Sequence, residues 1–145
     1  MSITAAITTL FATAALAAPA VARAETKSMM TAATWTIESL KRTCTSDLGS
    51  CTWEFTIDTH SGAATACSGT VTGSPATQTD ITQAIKCGDF QWTAGWSNQF
   101  GDGFTTLAVV DNVNRLIVYP AYTDAQLVNN TVVTPDQSYT PAALP

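Results

Sequence analysis

Positive charge and histidine are scarce in this chain: six Lys and Arg and one His, His60, among 145 residues. Binding to nucleic acid or to an anionic membrane needs clustered Lys and Arg. No such cluster exists, and eleven Asp and Glu bring the formal net charge to −5, with a pI near 4.4. A lone histidine leaves little for metal chemistry. There is also no C-x2-C pair, so a zinc site lacks its usual ligand spacing. No long hydrophobic run follows residue 20, which predicts a mature product without a membrane span. Helical periodicity is almost absent.

Extended alternation is what the chain has instead. After Cys51, Trp53, Phe55 and Ile57 alternate with Glu54, Thr56 and Asp58. Period two is the mark of a half-buried strand, and it puts Trp53 in the core. Trp35 and Ile37 repeat the pattern upstream, and the polar loop after Cys44 makes the two segments a hairpin. Further strands are expected at 64–72, 90–96, 105–110 and 115–119, the last stopped by Pro120, with another candidate at 126–133. Residues 80–86 are ambiguous, because Ile81, Ala84 and Ile85 also fit one helical turn. Residues 134–145, with three prolines, are expected to lie extended on the surface. Seven to nine short strands with turn signals between them predict a single compact antiparallel β-barrel or β-sandwich.

Ile3–Ala18 is an Ala-rich apolar run ending in small residues, with small-x-small sites at 15–17 and 18–20. It falls short of the ~20 residues that span a bilayer. The pattern predicts a secretory signal over 1–20, a loose leader over 21–33 and one domain over 34–145; a buried N-terminal helix is the alternative. All four cysteines, Cys44, Cys51, Cys67 and Cys87, follow the signal. An even count in a secreted chain implies two disulfides. Three pairings exist; Cys44–Cys51 with Cys67–Cys87 is favoured, since each closes neighbouring strands.

No catalytic constellation stands out, and no cofactor motif is present. His60 lies in a polar turn without the serine context of a Ser-His-Asp site. Glu54 and Asp58 share a strand face about 13 Å apart at ~3.3 Å per residue, long for paired-carboxylate hydrolysis, and they point to water. Asp102, between two glycines, lacks calcium-loop spacing. Lys41-Arg42 is a dibasic pair inside a strand, where folding protects it. Phe90, Trp92 and Trp96 share one strand face and suit a core. Trp96, Phe100 and Phe104 flank a glycine-rich link and are the best candidates for a partly exposed aromatic site that binds a partner. Asn129-Asn130-Thr131 is an N-glycosylation sequon.

The segments WTIESLKRTC, SCTWEFTID, CGDF, GWSNQFGDGFTTLAVVD, RLIVYPAYTDAQL and PDQSYTPAALP resemble small secreted fungal elicitor proteins of the hypersensitive-response type. The layout is more distantly similar to the Alternaria major allergen family, a group of β-barrels. The resemblance covers residues 34–145. It implies a secreted, extracellular β-barrel without enzymatic machinery, acting on an apoplastic or membrane-surface protein of a plant or on cell-wall polysaccharide. It lacks the leading cysteine that links two chains in the allergens, which implies a monomer or a non-covalent dimer. A wall-associated carbohydrate-binding module and a small secreted hydrolase are the alternatives.

Overall fold

A computed structural model describes residues 33–145. The expected signal peptide, and all but the last residue of the expected leader, lie outside the described residues. Ten strands follow in order: β1 Trp35–Cys44, β2 Ser50–Asp58, β3 Thr65–Thr72, β4 Ile81–Cys87, β5 Phe90–Ser97, β6 Phe104–Asp111, β7 Leu116–Val118, β8 Ala121–Thr123, β9 Gln137–Tyr139 and β10 Ala142–Ala143. They form two antiparallel sheets packed together. Sheet I runs β9-β1-β2-β3. Sheet II runs β10-β7-β6-β5-β4, with β8 beside β7 on the same edge of β6.

The inner faces follow from the alternation. Trp53, Phe55 and Ile57 are buried, Glu54 is exposed, and Thr56 and Asp58 are half-buried. From sheet II come Phe90, Trp92, Ala94, Leu107 and Val109. Trp92 lies at the centre, edge-on to Phe55 at 5.1 Å and to Trp53 at 6.4 Å between ring centroids, within the range of favourable aromatic pairs. Gly69, the cross-strand partner of Trp53, makes room for this ring: a Cβ there would meet the Ile85 side chain and lie 3.0 Å from Trp92 Cζ2.

Strand β1 carries the main irregularity. Its register against β2 shifts between Glu38 and Lys41, and Ser39 has φ +53°. The extra residue makes a bulge and changes the phase of the strand. Trp35 and Ile37 point inward, and so do Leu40, Arg42 and Cys44. Simple alternation from Trp35 would have buried Lys41 and exposed Arg42.

Both disulfides, Cys44–Cys51 and Cys67–Cys87, are those expected. Cys44 and Cys51 are cross-strand partners at the end of the β1–β2 hairpin. Its turn is held by Asp47, which accepts hydrogen bonds from the Thr45 hydroxyl and the Gly49 N–H at 2.6 and 2.9 Å and is thereby kept below the ordinary aspartate pKa. Cys67–Cys87 joins β3 to β4, the edges of the two sheets on one side.

One expectation needs correction, and two segments add pairing beyond what was expected. Residues 126–133 form no strand; they run in turns along the edge of β1. Only two backbone bonds reach that strand, Asn130 N–H to Arg42 O and Val133 N–H to Leu40 O. Leu127 and Val133 are buried but six residues apart, and Asn130, at φ +57°, breaks the ladder between them. Strand β7 stops before Pro120 as expected, and the unexpected strand β8 follows at once and pairs with Phe104–Thr106. Finally, residues 134–145 do more than lie on the surface: β9 pairs with Trp35–Ile37 in sheet I and β10 with Leu116–Ile117 in sheet II. The tail thus ties together the edges opposite the Cys67–Cys87 seam. The ambiguous segment resolves as strand β4, with the one 3-10 turn among the described residues earlier, at Ala76–Gln78. Ile81 and Ile85 are four apart, a spacing that shares a face in a strand as well as in a helix.

Candidate functional site

Strands β5 and β6 present the expected aromatic residues at one end of sheet II. Their register pairs Trp96 with Thr105 and Ser97 with Phe104, so alternation puts Trp96 and Phe104 on opposite faces. Trp96 belongs to the inner phase and is half-buried. Its Nε1–H donates to both carboxylate oxygens of Asp124, at 3.2 and 3.3 Å. Gly103 permits this approach, since a Cβ there would lie 2.8 Å from Trp96 Nε1 and against Asp124.

Phe104 belongs to the outer phase. Phe100, from the Asn98–Gly103 link, stacks on it with centroids 6.4 Å apart and planes inclined by 16°. Phe100 is 81% exposed, the largest exposure of any large apolar side chain among the described residues. The structure therefore brings Phe100 and Phe104 together and holds Trp96 separately through Asp124.

Arg42 is a second feature that sequence pattern did not single out. Only 6% of it is exposed. Its guanidinium lies over the Trp53 ring, 5.5 Å from the centroid, and Nε and Nη1 have no hydrogen-bond partner among the described residues. Burial pushes the guanidinium below its ordinary pKa, and Asp124 partly opposes that shift. Burying an ion costs several kcal/mol, which only a well-placed partner repays. Arg42→Met keeps most of the apolar stem and is expected to leave stability unchanged or raise it by about 1–2 kcal/mol in urea denaturation. A loss beyond about 2 kcal/mol would show instead that the cation–π contact with Trp53 dominates.

The outer face of sheet I gathers the residues considered for hydrolysis. His60 sits in its turn at φ +65°, with its N–H donating to Asp58 Oδ1 at 2.8 Å. The ring lies between two groups: Nε2 is 2.8 Å from Thr36 Oγ1 and Nδ1 is 3.5 Å from Asp58 Oδ2. Thr36 Oγ1 is in turn 2.8 Å from Ser138 Oγ. The tertiary fold thus assembles a hydroxyl–imidazole–carboxylate row that no local motif announces. The His60 side chain is 49% exposed, whereas general-base and oxyanion chemistry gains most where water is excluded. Partial desolvation and the neighbouring Asp58 carboxylate hold Glu38, beside this row, above the ordinary glutamate value. Glu54 is separate, 3.8 Å from Lys41 Nζ. Asp102 is exposed in its loop.

Asn129 is exposed in a turn, and its Oδ1 accepts the Cys44 N–H at 2.6 Å. No group of three or more His, Cys, Asp or Glu among the described residues is placed to hold a metal ion. No helix among them is long and apolar enough to cross a membrane.

The family profile described as Effector TSP1 matches residues 36–144, the whole of the two-sheet unit save its extreme ends. A curated protein of Hypocrea virens, "Effector TSP1", is 47% identical over 143 residues, covering 96% of this chain and 95% of that protein. The profile takes in both disulfides and every strand but the first residue of β1, and on these two matches the chain belongs to the Effector TSP1 family.

Proposed function

We propose that this protein is a secreted fungal effector that acts as a non-enzymatic binding protein in the plant apoplast or at the cell-wall surface and provokes host defence. The observation that carries the reading is the Phe100–Phe104 pair: a stacked, solvent-facing aromatic platform on a frame held by two disulfides. Exposed aromatic anchors on rigid scaffolds commonly dominate binding energy, and Phe100 leaves most of its surface in water. Family membership supports the effector role. Two disulfides suit an oxidising compartment, as does the apolar run at Ile3–Ala18. A glycan on the exposed Asn129 fits the same route. All four cysteines are in intrachain bridges, so self-association is non-covalent. The partner we expect is an apoplastic or membrane-surface protein of the plant.

The test is infiltration of leaves with the disulfide-intact mature protein and its variants, each first shown to fold by circular dichroism. Phe100→Ala/Phe104→Ala is expected to need at least about tenfold more protein for the same response, a loss of ~1.4 kcal/mol or more in recognition. Asp58→Asn/His60→Gln is expected to be as active as the parent. A folded but inactive Asp58→Asn/His60→Gln variant would bring forward the hydrolase alternative, built on the Thr36–His60–Asp58 row. A fully active Phe100→Ala/Phe104→Ala variant would remove the platform from the reading.

A further inference from the structure

We propose that the outer face of sheet I binds a neutral, hydroxyl-rich glycan chain in a groove beside the β1 bulge. The groove has a volume of about 460 Å³, within the roughly 300–1,000 Å³ of small-ligand sites. It lies beside the register shift between Glu38 and Lys41, and Ser39 of the bulge lines it. The bulge is held in place: Ser39 N–H donates to Asp136 Oδ1 at 2.9 Å, from the segment that leads into β9.

The lining defines the ligand chemistry. Ser39, Thr52, Thr56 and Ser68 line the groove together with Glu54. Each hydroxyl both donates and accepts, and a carboxylate accepts from two neighbouring O–H groups at once. A sugar ring presents the complementary set, vicinal hydroxyls that donate and accept. Phe55 also borders the groove, but its ring is turned inward onto Trp92, so recognition here runs through hydrogen bonds and not stacking. The same chemistry continues along the face. Thr70 bonds Thr52 at 3.0 Å, and the Thr36–Ser138–His60 row lies beyond Thr56 and Asp58.

Charge narrows the class. Glu38, Glu54 and Asp58 lie on this face, with Lys41 as its one lysine. An acidic face repels uronate polymers, nucleic acid and anionic lipid headgroups, and the one carboxylate lining the groove, Glu54, already has a cation in Lys41 at 3.8 Å, which favours a neutral polysaccharide over a cationic ligand. The groove belongs to sheet I and the Phe100–Phe104 platform to the end of sheet II. The two sites can therefore fail independently.

The experiment is a two-dimensional NMR titration of the 15N-labelled, disulfide-intact mature protein with laminarihexaose, a neutral β-glucan fragment, and with hexagalacturonate, an anionic oligosaccharide of the same length. Laminarihexaose at millimolar concentration is expected to shift the amides of Ser39, residues 52–56 and residues 66–68. Glu54→Gln and Thr56→Val, both at partly exposed positions that tolerate exchange, are each expected to weaken it about tenfold. Phe100→Ala/Phe104→Ala should bind it unchanged, and hexagalacturonate should bind at least about tenfold more weakly. The proposal is overturned by the absence of shifts with laminarihexaose, by shifts centred on Phe100 and Phe104, by equal binding of hexagalacturonate, or by unchanged affinity in both groove variants.

Discussion

Trp92→Ala is expected to destabilise the fold by about 3–5 kcal/mol, the range for emptying a large buried aromatic site. Trp92 is 1% exposed and contacts rings on the facing sheet. Gly69 beside it has no side chain to move into the space. A native 150-residue-class domain has only about 5–15 kcal/mol of stability, so this loss is a large share. Trp92 Nε1 is buried and without a partner among the described residues. Trp92→Phe removes that unsatisfied N–H along with part of the ring and should cost clearly less than the Ala variant. Guanidinium unfolding with both disulfides intact measures the pair. A cost below about 1 kcal/mol for Trp92→Ala would mean that Trp92 does not organise the core.

Removing the Cys67–Cys87 bridge by a double Ala substitution is expected to cost about 3 kcal/mol, from the loop-closure entropy of a bridge spanning 20 residues. The expected consequence is larger locally than globally. β3 and β4 are the facing edges of two different sheets and share no ladder, so the bridge is the covalent tie across that seam. Amide exchange in β4 should therefore accelerate well beyond that in β1 and β2. Removing Cys44–Cys51 gives the opposite pattern. That bridge spans 7 residues, is worth about 2.4 kcal/mol by the same relation, and sits between strands already paired along their length. Its loss should fray only the hairpin end. Equal exchange profiles for the two variants would contradict the seam account.

Much of this fold was legible locally, and particular residues show why. Trp53, Phe55 and Ile57 alternate with Glu54, Thr56 and Asp58. A strand with one buried face can satisfy that pattern in only one orientation, since a one-residue slip would bury both carboxylates. The cysteine pairing was legible for the same reason, because Cys44 and Cys51 bracket one hairpin and Cys67 and Cys87 lie on successive strands. Phe100 and Phe104 were legible as exposure candidates because they flank a glycine-rich link.

Other features were set by partners far along the chain. Arg42 is buried because a bulge at Ser39 shifts the phase of β1, and that bulge is held by Asp136, 97 residues later. Trp96 parts from Phe104 because cross-strand register, and not closeness in sequence, decides which face a side chain takes. Thr36, His60 and Ser138 meet only once β9 has joined β1. Residues 134–145 carry no strong strand pattern, since three-residue and two-residue strands are too short for periodicity to register. Their pairing comes from the open edges of two sheets that exist only after the rest has folded. The sequence alone determined the all-β class, the inward faces of β2, β5 and β6 and the two bridges, because alternation and chain proximity are local properties. The tertiary structure decided the bulge, the closing tail, the groove and the division of the aromatic residues, because each depends on a register between segments that no local pattern encodes.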